Sequence, residues 1–205
     1  SRDPDTSLLT FVEVVRNGQN DSGGTLVQGL QQIQYVQVSP DGQNVYVVSS
    51  FEDTLTVFLR DAARGGLEIL ETQVNGDGPI DGLGAASSVA VSHDGRSVYV
   101  AGGRDDAIAV FTRDTSSGVV DFLEVERNRV GGVAGLDLPN AIAVSPDDTN
   151  VYVASTIDGA VVTFDRDPTT GALTFQQALQ EGRGATGLAG AQDVVVSAAG
   201  NHGCG

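Results

Sequence analysis

Along most of the chain, apolar and polar positions alternate in short bursts that suit β-strands. Ser88-Val89-Ala90-Val91-Ser92 is a run of small and β-branched residues. Ser97-Val98-Tyr99-Val100-Ala101, Ala107-Ile108-Ala109-Val110-Phe111 and Val120 to Val125 follow it closely. Between these runs stand Asp94-Gly95, Gly102-Gly103-Arg104-Asp105-Asp106 and Arg113-Asp114 to Gly118. Turn residues between brief apolar runs predict hairpins. No stretch sustains a 3.6-residue apolar period, so helix is not expected. The apolar runs are also too short to span a bilayer, and no membrane insertion is expected.

The pattern repeats. Val38-Ser39-Pro40-Asp41-Gly42 returns as Val91-Ser92-His93-Asp94-Gly95 and as Val144-Ser145-Pro146-Asp147-Asp148, each step being 53 residues, and Val196-Ser197 follows after 52. Phe58-Leu59-Arg60-Asp61 recurs on the same period as Phe111-Thr112-Arg113-Asp114 and Phe164-Asp165-Arg166-Asp167. A Gly-Leu pair marks it again at Gly29-Leu30, Gly82-Leu83, Gly135-Leu136 and Gly187-Leu188.

Four antiparallel strands repeated every ~50 residues read as blades of a β-propeller. A lone four-stranded sheet has two apolar faces, and stacking blades around an axis hides both. The fold class expected is therefore all-β, a single partial propeller over residues 1–205, with blades near 35–73, 88–126 and 141–179. Val89 and Val91 are expected on one face and Ala90 on the other, with Val36, Val89 and Ile142 equivalent and buried. Small Ala90 and Ala143 suit an inner strand near the crowded axis. The phase adds an outermost strand at 8–15 before the first blade and an innermost strand at 193–197 after the last. An incomplete ring of about four repeats implies self-association or completion by further blades, since propellers close with about 4–8.

The unit Val-x-Val-Ser-Pro-Asp-Gly-x-x-Val-Tyr-Val, at Val36 to Val47, resembles the repeats of bacterial lactonase-like and surface-layer YVTN-type seven-bladed propellers. The Val-Phe-x-Arg-Asp-x-x-x-Gly that follows strengthens the likeness, which extends over almost the whole chain. It implies the propeller fold and allows a lactonase-like hydrolase, because the recurring residues are those that build blades.

Charge narrows the classes. Acidic residues number 27 against 11 basic ones, for a formal charge of −16. Nucleic acid is excluded as a partner on this balance, because phosphate affinity needs clustered Lys and Arg. The 27 glycines are about twice the usual share and fit many turns. With a single Cys, Cys204, no internal disulfide or Cys-based metal cluster can form.

Several patterns have a chemical reading and a plainer one. Gly182-Arg183-Gly184-Ala185-Thr186-Gly187 matches a dinucleotide-binding glycine pattern. That chemistry needs a helix N-terminus, and here a strand follows. Ser92-His93-Asp94 holds the residue types of a hydrolase triad, but neighbours in one turn cannot meet as a triad does. His93 reads as an exposed turn residue, and His202 lies in the glycine-rich tail. Arg60-Asp61, Arg113-Asp114 and Arg166-Asp167 read as an anion-binding ring or, more simply, as a turn-capping Asp with an Arg bridging to the next blade. Asn20-Asp21-Ser22 is a glycosylation sequon, relevant in a eukaryotic secretory pathway.

Glu52, Asp105 and Asp158 fall at 53-residue steps in the hairpin between second and third strands, with Asp53 and Asp106 beside the first two. Gln34, Ser87, Asn140 and Gln192 begin the inner strands at the same end. Together these form the candidate ligand funnel. Glu52, Asp105 and Asp158 are its candidate ligands for Ca²⁺, since carboxylates suit a hard cation; the alternative is that each caps its own turn. The function expected is a non-catalytic binding or scaffold module for a small molecule or protein, extracellular or periplasmic in a bacterium. The alternative is a lactonase-like hydrolase acting on a sugar lactone through the axial funnel.

Overall fold

A computed structural model describes Thr6 and residues 10–197. Three antiparallel sheets follow one another along the chain. Blade 1 holds β1 (Ile33–Val38), β2 (Asn44–Ser49), β3 (Thr54–Arg60) and β4 (Leu67–Val74). Blade 2 holds β5 (Ala86–Val91), β6 (Ser97–Gly102), β7 (Ala107–Arg113) and β8 (Val120–Arg127). Blade 3 holds β9 (Pro139–Val144), β10 (Asn150–Ser155), β11 (Ala160–Arg166) and β12 (Leu173–Glu181), with β13 (Gly184–Ala185) added parallel to β12. Each is a simple meander in sequence order, and no helix occurs among the described residues.

The alternation of side chains explains the stacking. Val89 and Val91 face blade 1 in a cluster with Tyr46, Val48, Leu55 and Val57, while Ala90 faces blade 3 with Ile142 and Val144. Both faces of blade 2 are therefore filled, and its strands β6 and β7 are almost wholly buried. The Gly-Leu marker is a packing device. Gly82 and Gly135 sit at φ +85° and +86°, and a Cβ there would come within 2.7 Å of Val125 and 2.8 Å of Ala178. Only glycine fits such a turn against the sheet. The following Leu83 and Leu136 are fully buried.

Three expectations change at the ends of the stack. Residues 10–16 carry no strand, and the rest of the strand expected at 8–15 lies outside the described residues. Residues 193–197 carry no strand either. In both cases a ladder needs a neighbouring strand of the same blade, and no such strand lies beside them. Val36 is 52% exposed, whereas its equivalents Val89 and Ile142 are 1% and 7% exposed. The residue is the same type in the same place; what differs is that no blade lies against it.

Each junction is also tied by a polar circuit. Arg113 is buried at the blade 1–blade 2 junction, where Nε donates to the Tyr46 hydroxyl at 2.6 Å and Nη2 to Asn44 Oδ1 at 2.7 Å and Asp41 Oδ2 at 2.8 Å. Tyr46 in turn donates to the Gly118 carbonyl at 2.9 Å. The blade 2–blade 3 junction repeats this with Arg166, Tyr99, Ser97, Asp94 and Gly171. The recurring Arg therefore bridges blades, while Asp61, Asp114 and Asp167 accept the backbone N–H groups of their own turns. Burial works against the Asp41 carboxylate, but Ser39, the Gln43 N–H and Arg113 outweigh it and hold its pKa down to about 2. Burial pushes the Tyr46 hydroxyl up to about 12.

Candidate functional site: an axial groove lined by amides

The inner strands β1, β5 and β9 lie side by side and wall a groove of about 650 Å³. Gln34, Ser87, Asn140 and Gln192 line it, as their shared place in the repeat implies. They are held by neutral hydrogen bonds: Gln34 Nε2 donates to Ser50 Oγ at 2.9 Å, Ser87 Oγ to the Pro139 carbonyl at 3.0 Å, and Asn140 Nδ2 to the Gln192 carbonyl at 3.0 Å. Gln37 and Tyr35, which the sequence reading passed over, line it too. Consecutive residues of β5 and β9 also line it, from Ser87 to Val91 and from Asn140 to Val144, so it is the edge of each inner strand rather than one face that borders the groove.

The carboxylates behave differently. Glu52 accepts the Gln31 N–H at 3.0 Å, Asp105 the Gly84 N–H at 2.8 Å, and Asp158 the Asp137 N–H at 3.0 Å. Each thus holds the loop that enters its own blade. Asparagines reinforce two of them, Asn17 on Glu52 and Asn75 on Asp105. Asp53 and Asp106 reach one blade further, accepting the Ala85 and Leu138 N–H at 2.7 and 3.0 Å. Asp53 also pairs with Arg104. None of the five lines the groove. Among the described residues, no three His, Cys, Asp or Glu side chains gather as a metal site. The three candidate Ca²⁺ ligands stand apart because each belongs to a different blade and is engaged within it.

A charged feature at this end was not anticipated. Asp137 is pushed above its ordinary value, by burial first and then by the Asp106 and Asp158 carboxylates. At the opposite end of the groove, His93 is paired across blades. Its Nδ1 lies 3.3 Å from Asp148 Oδ1, and both the His93 and Asp94 N–H groups donate to the Asp148 carboxylate at 2.7 Å. Asp148 takes the place of Gly42 and Gly95 and keeps their left-handed backbone, with φ +59°. His93 takes the place of Pro40, which has no N–H to give. The two departures from the repeat meet each other. His93 is thus a turn residue, with its side chain 54% exposed, and also an inter-blade staple. Gly182 to Gly187 contains β13 and no helix, so it offers no pyrophosphate site.

Comparison with known proteins agrees with this architecture. The family model described as "Lactonase, 7-bladed beta-propeller" matches residues 34–188. No curated protein sequence matches the chain. Among solved structures, the periplasmic gluconolactonase of Pseudomonas aeruginosa is similar at 25% identity and a TM-score of 0.63, over 80% of this chain and 44% of that one. A Bacteroides fragilis protein provisionally named a 6-phosphogluconolactonase is similar at 19% identity and a TM-score of 0.62, over 76% of this chain and 41% of that one. Hydrazine synthase of Kuenenia stuttgartiensis is similar at 18% identity and a TM-score of 0.57, over 84% and 41%. The chain spans less than half the length of each of these structures, and the last two likenesses concern the fold alone.

Proposed function

Because the chain belongs to the lactonase, seven-bladed β-propeller family, we propose that it forms part of an axial site for a sugar lactone, in a protein that hydrolyses it. The observation that carries this reading is the row of Gln34, Ser87, Asn140 and Gln192 along one groove. Neutral amides and hydroxyls both donate and accept hydrogen bonds, which suits the hydroxyl groups of a sugar. Pockets fix a ligand with a few such placed polar groups. Lactone hydrolysis further needs a base, an acid and oxyanion donors that converge on the ester carbonyl. We assign binding and orientation to the amide row. Among the described residues, His93, oriented by Asp148, is the one imidazole on the groove.

The reading of a non-catalytic binding module rests on a separate observation: the hairpin carboxylates are engaged by backbone N–H groups. A setting outside the cytoplasm, periplasmic or at the cell surface, is supported by the periplasmic location named for the Pseudomonas protein and by the surface-layer YVTN-type likeness of Val36 to Val47.

One experiment separates these readings. Glucono-δ-lactone and 6-phosphogluconolactone are titrated into the chain by calorimetry, and their hydrolysis is followed with and without divalent metal. Heat of binding that Asn140→Ala weakens, with turnover, supports the hydrolase. Binding without turnover leaves the binding module. Absence of binding to either lactone overturns the proposal.

A further inference from the structure

The two junctions inside the chain are built from equivalent residues, and one pair of equivalents differs in charge. On the outer strand of blade 1, Glu71 reaches blade 2 and accepts the Val120 N–H at 2.6 Å. Gln73 stands two residues on and so on the same face. Its Nε2 donates to Glu71 Oε2 at 3.1 Å and to the Val120 carbonyl at 3.2 Å. The amide thus puts donors between the carboxylate and the backbone of the next blade. On the outer strand of blade 2, Glu124 takes the place of Glu71 and accepts the Leu173 N–H of blade 3 at 2.7 Å. The place of Gln73 is held by Glu126. Its ladder partner on β7 is Ile108, as Leu55 on β3 is that of Gln73. An ionised carboxylate has no proton to give. Two acceptors therefore stand at this junction where the other has a donor beside an acceptor.

The surroundings bring Glu126 no cation among the described residues. β7 carries no ionisable residue before Arg113, β11 none before Asp165 and β12 none before Glu181. On β8 itself, Arg127 is paired with Asp81 at 2.7 Å, and Asp121 acts on Glu71 of blade 1. In the loop that enters blade 3, Arg129 lies 3.7 Å from Asp137. Glu126 is partly buried. Its carboxyl is pushed above its ordinary value, by burial first and then by the charge of Glu124.

We propose that Glu126 holds a proton between the two blades and donates it to Glu124, doing with a carboxyl group what Gln73 does with an amide, so that the blade 2–blade 3 junction tightens when Glu126 is protonated and loosens when it ionises. Two neighbouring carboxyls share one proton more readily than they carry two charges. A carboxyl raised by folding contributes stability that is present below its ordinary value of 4.5 and lost as pH rises through the folded one. With an amide in the same place, Gln73 gives the blade 1–blade 2 junction no such dependence. The inference rests on the comparison of the two junctions and is independent of the lactone reading.

The test is the melting temperature of the full chain and of Glu126→Gln at pH 4 and pH 7.5. Installing the amide of the other junction should raise it by about 2–4 °C at pH 7.5 and leave it unchanged at pH 4. Gln73→Glu should do the reverse, lowering it more at pH 7.5 than at pH 4. Asp77→Asn removes an exposed carboxylate of the same charge and should produce neither effect. The Glu126 carboxyl carbon, followed by nuclear magnetic resonance, should titrate above 4.5 in the folded chain. A gain in Glu126→Gln that is equal at the two pH values overturns the inference, since packing would then be responsible. So does a gain that Asp77→Asn matches, which would reflect net charge. A Glu126 carboxyl that titrates at or below 4.5, or a Glu126→Gln variant no more stable than wild type at pH 7.5, overturns it too.

Discussion

Arg60 and Arg113 share a place in the repeat and differ in what lies across from them, which makes them a controlled pair. Arg113→Leu removes four hydrogen bonds, to Tyr46, Gly95, Asn44 and Asp41. The Arg113 side chain is 0% exposed and that of Asp41 is 30% exposed, so the carboxylate loses its cation in a partly desolvated place. Breaking a buried ion pair by removing one partner costs about 3–5 kcal/mol. Here Asp41 keeps the Ser39 hydroxyl and the Gln43 N–H, and Leu recovers some apolar packing. About 3 kcal/mol is the expected loss. Among the described residues, Arg60→Leu removes one side-chain bond, to the Gly42 carbonyl, from a half-exposed side chain, and the expected loss is less than about 1 kcal/mol. Urea unfolding measures both. The chain has no Trp, so the fluorescence of its four Tyr reports directly, two of them lying at the junctions. Equal losses in the two variants would refute the reasoning, because the shared hairpin bond would then carry the effect. A loss below about 1 kcal/mol in Arg113→Leu would refute it too.

Acid should open the junctions. Asp41 lies near 2, below its ordinary 3.8, and Asp94 is lowered as well, by hydrogen bonds from Ser92, the Arg96 N–H and Arg166 that outweigh burial. A depressed carboxylate contributes stability that is present above the unfolded value and lost as pH falls through the folded one. The melting temperature should therefore drop between about pH 4 and pH 2, and Asp41→Asn should flatten that drop; an unchanged profile in the variant contradicts the assignment. His93→Pro should cost about 1 kcal/mol in the wild-type chain and nothing in an Asp148→Gly background, because the two changes remove opposite ends of one contact; additive losses in a double-mutant cycle would contradict this. Ca²⁺ should shift the melting temperature no more than matched ionic strength does, while Asp105→Asn should lower it in either salt, since Asp105 holds the Gly84 N–H. A divalent-specific rise, lost in Asp105→Asn, would show instead a metal site.

The repeat made the blades legible because each marker solves a local problem in the same way every 53 residues. Asp-Gly turns β1 into β2, Gly-Leu seats the incoming loop, and Arg-Asp ends β3. Even the facing of Val89 and Ala90 followed from strand alternation. Val36 was misjudged because burial belongs to a pair of blades, and a repeat read alone does not say which blade lacks a neighbour. The strands expected at 8–15 and 193–197 share that cause, since pattern supplies propensity but not a partner. The carboxylates lie in the hairpin between the second and third strands of each blade, as their spacing implies, but not on the groove, and their engagement left no readable sign in that spacing. Their partners are backbone N–H groups 21 residues earlier, at Gln31, Gly84 and Asp137, which leave no trace in side-chain identity. Asn75 and Asn128, one period apart, were a readable sign, since both secure the same loop through Leu83 and Leu136. The His93–Asp148 contact was visible as two departures from the consensus, but only the fold shows that they touch.

The central claim is that the amide row along the axis is the ligand-binding surface. Side-chain amide resonances of Gln34, Asn140 and Gln192, followed by nuclear magnetic resonance during titration with glucono-δ-lactone, test it most directly. The account predicts saturable shifts in these three, with Gln28, Gln43 and Gln176 on other surfaces unmoved. Shifts confined to those other amides, or none at saturating ligand, would contradict it.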